Sequence, residues 1–164
     1  MPEGDNRPRH ICTECQTIHY QNPKVVVGCL PFWEDRILLC RRAIEPRSGY
    51  WNLPAGYLEN GETLKEGALR ETSEESGAEV EILRLHAVYD LPHINQVYIF
   101  FLARMLHPGL EIGLESLEAR LFRPEEIPYA DMAFSSSTFA LKRYLEPQEE
   151  EQPEVHFGVY QPQY

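Results

Sequence analysis

Between residues 24 and 42 two apolar runs, VVVGCL and ILLC, flank the polar pair Glu34-Asp35, a pattern that predicts two strands joined by a tight turn. Longer strand-like stretches follow at residues 80–89 and at Gln96–Met105, separated by Asp90-Leu-Pro-His-Ile, and Ala119, Leu121 and Phe122 supply the apolar content of another. Between the first pair and these the period changes. Leu64, Ala68 and Thr72 recur every four residues with Leu69 beside them, the narrow apolar stripe of an amphipathic helix. Thr63 followed by Glu66 is a capping box, and Gly77 supplies the left-handed stop, so a helix is expected over roughly 64–76. Ser135–Leu145 reads as a closing helix that carries Phe139, Leu141 and Leu145, with its serine cluster as the cap. No internal repeat is present. The order of elements is that of an α/β protein.

The helix over 64–76 is unusual in its charge. Glu71 and Glu75 lie four residues apart and Glu74 three from Glu71, so three carboxylates share one side with side-chain origins about 5–6 Å apart. Like charges at that spacing repel, and after Lys65 only Arg70 supplies positive charge. A solvated acidic face normally interleaves lysines. The alternative is a set of oxygen ligands for a hard divalent cation, Mg²⁺ or Mn²⁺, which takes carboxylate oxygens at about 2.1 Å and keeps waters for chemistry. The shortage of lysine favours the cation.

Gly56, five residues, Glu62, seven residues and then Arg70-Glu71-Thr72-Ser73-Glu74-Glu75-Ser76-Gly77-Ala78 resembles the Nudix box, G-x5-E-x7-R-E-U-x-E-E-x-G-U with U apolar. Every fixed letter is present. The departures are Thr72, where the family prefers an aliphatic residue, and Ala55, where many members have a second glycine. The resemblance implies an α/β/α sandwich with a mixed sheet over residues 23–146, and hydrolysis of a nucleoside diphosphate linked to a further moiety. It implies Glu71 and Glu75 as direct metal ligands, helped by a backbone carbonyl at Ala55 or Gly56, with Glu74 reaching a second ion or the reacting groups. Glu62 and Arg70 are expected to form the salt bridge that fixes the loop on the helix. Glu115-Ser-Leu-Glu-Ala is similar to the segment in which related pyrophosphatases hold an additional catalytic acid. By that match Glu115 is the first candidate to orient or deprotonate a water and to share in the metal, Glu118 the second, and Glu111 surface charge.

The opening residues, with Cys12-Thr-Glu-Cys15, His19, Tyr20 and Asn22-Pro23-Lys24, resemble the end of the zinc ribbon that precedes the Nudix domain in relatives of NADH pyrophosphatases. A structural zinc takes four ligands, and the second C-x2-C knuckle of the ribbon is lacking. Three readings of residues 1–22 stay open: a vestige without metal, a zinc site shared between two chains or completed by His10 or His19, and a start that lies too late. At the other end, five Glu and two Pro within residues 146–154 cannot bury a core, so residues 147–164 are expected to form an acidic flexible tail.

Composition narrows the partners. The 164 residues are 43% hydrophobic and 25% charged, ordinary for one globular domain. A net charge of −11 argues against nucleic acid or an anionic membrane as partner, because no basic patch is visible in the sequence. No apolar run approaches a membrane span and the N-terminus lacks a signal core, so a cytoplasmic protein with reduced cysteines is expected. A homodimer is compatible with the sequence. Arg41, Arg42 and Arg47 are candidates for the substrate's phosphates, since the guanidinium fork suits them, and Trp51 is read as packing. Downstream, the motif of NADH-cleaving members is missing, and Pro92, fifteen residues past Gly77, sits where members acting on ADP-ribose often have a proline. His93 beside it is a candidate for substrate contact. The ribbon-like start together with PHINQVY resembles a subgroup that includes FAD-cleaving plant enzymes. Expected substrates are therefore ADP-ribose or FAD ahead of NADH, with release of AMP; the alternative is a silent Nudix-fold module that senses such a nucleotide.

Overall fold

A computed structural model describes residues 2, 4–147 and 155–161. Eight strands of the described residues form one mixed sheet with a helix on each face. The centre is β3 (Lys24–Trp33), which pairs along nearly its whole length, in parallel, with β8 (Gln96–Met105). β8 continues antiparallel into β7 (Val80–Leu91). On its other side β3 changes partner: Val26 to Gly28 pair with β6 (Ala55–Tyr57), whereas Phe32 and Trp33 pair with β4 (Arg36–Arg42). The sheet therefore forks between β6 and β4. β4 goes on to β5 (Trp51–Asn52) and β9 (Ser116–Phe122), both antiparallel. A separate two-stranded hairpin, β1 (His10–Ile11) with β2 (Ile18–His19), holds the N-terminal segment.

Strand alternation sends successive side chains to opposite faces, and the two faces are filled differently. Val26, Leu30, Tyr98, Phe100 and Leu102 pack against Ala140 and Leu141 of α2 (Ser135–Leu145). Val27, Cys29, Phe101 and Ala103 pack against Ala68 of α1 (Leu64–Ser76). This is the mixed-sheet sandwich that the sequence led one to expect.

α1 has the ends its sequence encodes. Thr63 caps the amide of Glu66 at 3.2 Å while Glu66 caps the amide of Thr63 at 2.8 Å, and Gly77 closes the helix at φ 65°. The stripe differs in detail: Leu64 and Leu69 are both exposed, and the buried positions are Gly67, Ala68, Thr72, Glu75 and Ser76. The apolar period thus rested on two leucines that the core does not use. α2 departs as well. Phe134 precedes it without a side-chain cap, and its serines serve tertiary contacts instead: Ser136 and Ser137 are buried, and Ser137 donates to Asn52 Oδ1 at 2.6 Å.

The expected tail beyond residue 147 is corrected in part. β10 (His156–Val159) adds a parallel strand to β7, His156 opposite Ala87 and Val159 opposite Asp90. Gly158 fits there because a Cβ would press on the rings of Phe139 and Tyr89. Most of the acidic run, residues 148–154, lies outside the described residues.

Candidate active site

β6 delivers the box loop against α1 so closely that the Glu71 carboxylate lies on Gly56; any Cβ at that position would overlap both of its oxygens. Four residues on, Glu75 points inward and is only 8% exposed. Burial pushes its carboxyl up to about 8, and the nearby charges of Glu71 and Glu115 push the same way, against Arg42 and the backbone of Ala55. Glu71 is raised for the same first reason, burial, although Arg70 opposes it. Two carboxyls held at unfavourable charge by a fold are a sign that something else is meant to carry that charge.

Arg70 organises the outer side. Its Nε and Nη2 donate to the two oxygens of Glu62 at 2.6 and 3.0 Å, and its Nη1 donates to Glu71 at 2.6 Å and Glu74 at 3.0 Å. Nη2 also donates to the Tyr57 carbonyl at 3.1 Å, so a single guanidinium ties the loop to the helix. Arg70 draws down the carboxyl of Glu62. Glu74 is 61% exposed along its side chain, in contrast to the buried Glu75. Glu115 is exposed at the start of β9, where its carbonyl accepts from the Ala43 amide at 2.8 Å, near enough to Glu71 and Glu75 to raise both.

The remaining candidates separate. Arg42 reaches the acids, acting on Glu75 and Tyr98 by charge while its guanidinium lies over the Phe134 ring at 5.1 Å. Arg41 donates to the Gly49 carbonyl at 2.8 Å, and Arg47 lies over the Tyr50 ring at 5.5 Å; both are engaged in shaping the loop after β4. Glu118 is the cross-strand neighbour of Arg41. His93 sits in the short turn Pro92–Ile94 and stacks on Tyr160 at 4.5 Å. Trp51 packs edge-on against Phe122 at 4.8 Å. Sequence reasoning missed Tyr57, Phe134 and the buried Tyr98, which the structure brings near Arg42. They lie on separate segments and no spacing joins them; the only sequence signal was Tyr57 directly after the box glycine.

The donor set of Glu71, Glu75 and Glu115 is hard oxygen, which suits Mg²⁺ or Mn²⁺. As the side chains stand, no three His, Cys, Asp or Glu groups among the described residues surround an ion position, because Glu71 and Glu74 face Arg70. At the N-terminus Cys15 Sγ lies 3.0 Å from Thr17 Oγ1 with Cys12 adjacent, and these two thiols supply half of the four ligands of a tetrahedral zinc site.

Comparison with known proteins agrees with this geometry. The family model for the Nudix domain matches residues 22–142, and that for the Nudix N-terminal zinc ribbon matches residues 1–21. The chain is 31% identical to an ADP-ribose pyrophosphatase of Methanocaldococcus jannaschii over 66% of its own length and 67% of the other. It is 32% identical to the NAD-capped RNA hydrolase NudC of Salmonella typhi over 72% of its length, but spans only 46% of that relative. A Nudix hydrolase structure from Nitrosomonas europaea superimposes with TM-score 0.92 at 56% identity, covering 98% of this chain and 91% of the other. No helix among the described residues is long and apolar enough to cross a membrane. From box, fold and relatives together, the chain belongs to the Nudix hydrolase family.

Proposed function

We propose that the protein hydrolyses the pyrophosphate bond of a nucleoside diphosphate joined to a second moiety, with ADP-ribose and FAD ahead of NADH, and releases AMP. The observation that carries this reading is the pair of acids one turn apart on α1: Glu71, half-buried against Gly56, and Glu75, buried beside the Ala55 backbone. Glu71 and Glu75 would hold a divalent cation, Mg²⁺ or Mn²⁺, with Glu115 at its open side. When bound, such an ion neutralises pyrophosphate charge and lowers the pKa of an attacking water. Arg70 keeps the loop and helix in register through Glu62. Glu115, exposed beside Ala43, would accept a proton from water. Arg42 sets positive charge next to Glu75, and with the half-buried Phe134 ring offers a cation and an aromatic face to a nucleotide.

The preference for ADP-ribose is supported by the M. jannaschii relative and by Pro92 in the turn between β7 and β8. The test is a panel of ADP-ribose, FAD, NADH and nucleoside triphosphates with Mg²⁺ or Mn²⁺, scoring AMP release, run beside Glu75→Gln. That variant keeps side-chain volume and should lose about 10²–10³-fold in kcat, the scale of removing one preorganised charge contact. Wild-type rates in Glu75→Gln would refute the assignment. A triphosphate turned over with tenfold higher kcat/KM than ADP-ribose and FAD would reverse the ranking alone.

A further inference from the structure

The chain carries 26 acidic and 15 basic residues, yet one cleft of about 690 Å³ is lined by Arg7, Arg9 and Lys24 and by no Asp or Glu among the described residues. Its volume falls in the range of small-molecule sites. One wall is the N-terminal hairpin, where His10 and His19 stand directly opposite each other across β1 and β2 and both line the cleft. The other wall is the end of the main sheet: Lys24 and Gln96 are register partners, and the Lys24 amide donates to the Asn95 carbonyl at 2.9 Å. Arg9 is neutralised by Asp5 at 2.9 Å. Among the described residues none pairs with the Arg7 guanidinium, and the Lys24 ammonium lies over the Tyr57 ring, 5.0 Å from its centroid. The sequence showed no basic patch because these cations come from separate segments and meet only when the hairpin folds against the sheet.

The cleft is joined to the acids. Tyr57 follows Gly56, gives its carbonyl to Arg70, holds its hydroxyl 2.9 Å from Gln96 Nε2 and carries Lys24 over its ring. Gly56 pairs with Val27, three residues along β3 from Lys24, or about 10 Å at the rise of a strand. Two unpaired cations, imidazoles able to donate N–H and side-chain amides make a donor set for the three or four oxygens of a phosphate. We propose that this cleft is a second phosphate site, about 10 Å from the acid pair. The continuity through Tyr57 favours a phosphate carried by the nucleotide beyond the bond that is cleaved; this part rests on the hydrolase reading. A free phosphate ion offers the same oxygens, and the experiment separates the two.

The test compares the full-length protein with the double variant Arg7→Gln/Lys24→Gln, both exposed positions whose loss leaves the core untouched. In the first arm, inorganic phosphate is titrated into metal-free protein while the ring signals of His10 and His19 are followed by NMR. Both should shift in the wild type and stay in place in the variant. In the second, kcat/KM is measured for ADP-ribose and for ADP-ribose bearing an extra phosphate on the adenosine ribose or on the terminal ribose. At least one phosphorylated form should gain about tenfold, the scale of one charge-assisted contact, mostly in KM. The double variant should lose that gain and turn over plain ADP-ribose as before. Ring shifts without a kinetic gain support the site with the free ion as its ligand. Ring shifts equal in the variant, a gain that survives in the variant, or the absence of both effects overturns the proposal. If none of the three nucleotides is cleaved while the ring shifts persist, the hydrolase reading falls and the phosphate site stands.

Discussion

Gly56 works by having no side chain, since the Glu71 carboxylate occupies the space a Cβ would fill. Gly56→Ala should therefore fold, because the strain falls on the end of a flexible side chain, and should lose about 10²-fold in kcat through misplacement of Glu71; steady-state kinetics at saturating Mg²⁺ decides. Glu75 makes a prediction about pH. Its folded value of about 8 lies above the ordinary 4.5, so the fold disfavours its charge. Its contribution to stability is greatest below pH 4.5 and is lost as pH rises through about 8. In chelator, the melting temperature of the wild type should fall relative to Glu75→Gln across that window, and the two should converge near its acid end; parallel curves would mean that Glu75 is not held at unfavourable charge. Both acids were legible in the sequence because an i, i+4 spacing is a local fact. Tyr98 and Phe134 were not, since what brings them to Arg42 is the docking of β8 and the segment before α2, which no short-range pattern encodes.

Among the elements, α1 is the one that the sequence described most fully. Its capping box uses backbone amides within three residues, so the information is local. Thr63→Ala removes the cap and should cost about 1 kcal/mol, seen as a melting temperature lower by about 2–4 °C in thermal unfolding. No change would mean that packing against β3 and β6 alone holds that turn. The serines of α2 show the opposite case: the same residue type that caps in isolation is drawn into the core, where Asn52, 85 residues away, accepts from Ser137. The strand pairings were likewise outside local reach. That β3 leaves β6 for β4 midway follows from which segments compete for its edge, yet this fork is what opens the sheet at Ala55, beside Glu75.

For the molecule as a whole, burial of Glu75, with the charge of Glu71 beside it, disfavours the carboxylate that a cation would compensate. Millimolar Mg²⁺ or Mn²⁺ should raise the melting temperature by linkage, about 2.7 kcal/mol at a hundredfold excess over Kd, and should fail to do so in Glu71→Gln/Glu75→Gln. Equal curves with metal and with chelator would argue against a cation between these acids. Among the described strands, β10 covers the outer edge of β7. Without residues 156–159, the outer amides and carbonyls of β7 between Ala87 and Asp90 form an open hydrogen-bonding edge, the kind that templates a strand from a neighbouring molecule. A chain cut after residue 147 should accordingly self-associate as its concentration rises in sedimentation velocity, through an edge that the full-length protein keeps paired with itself.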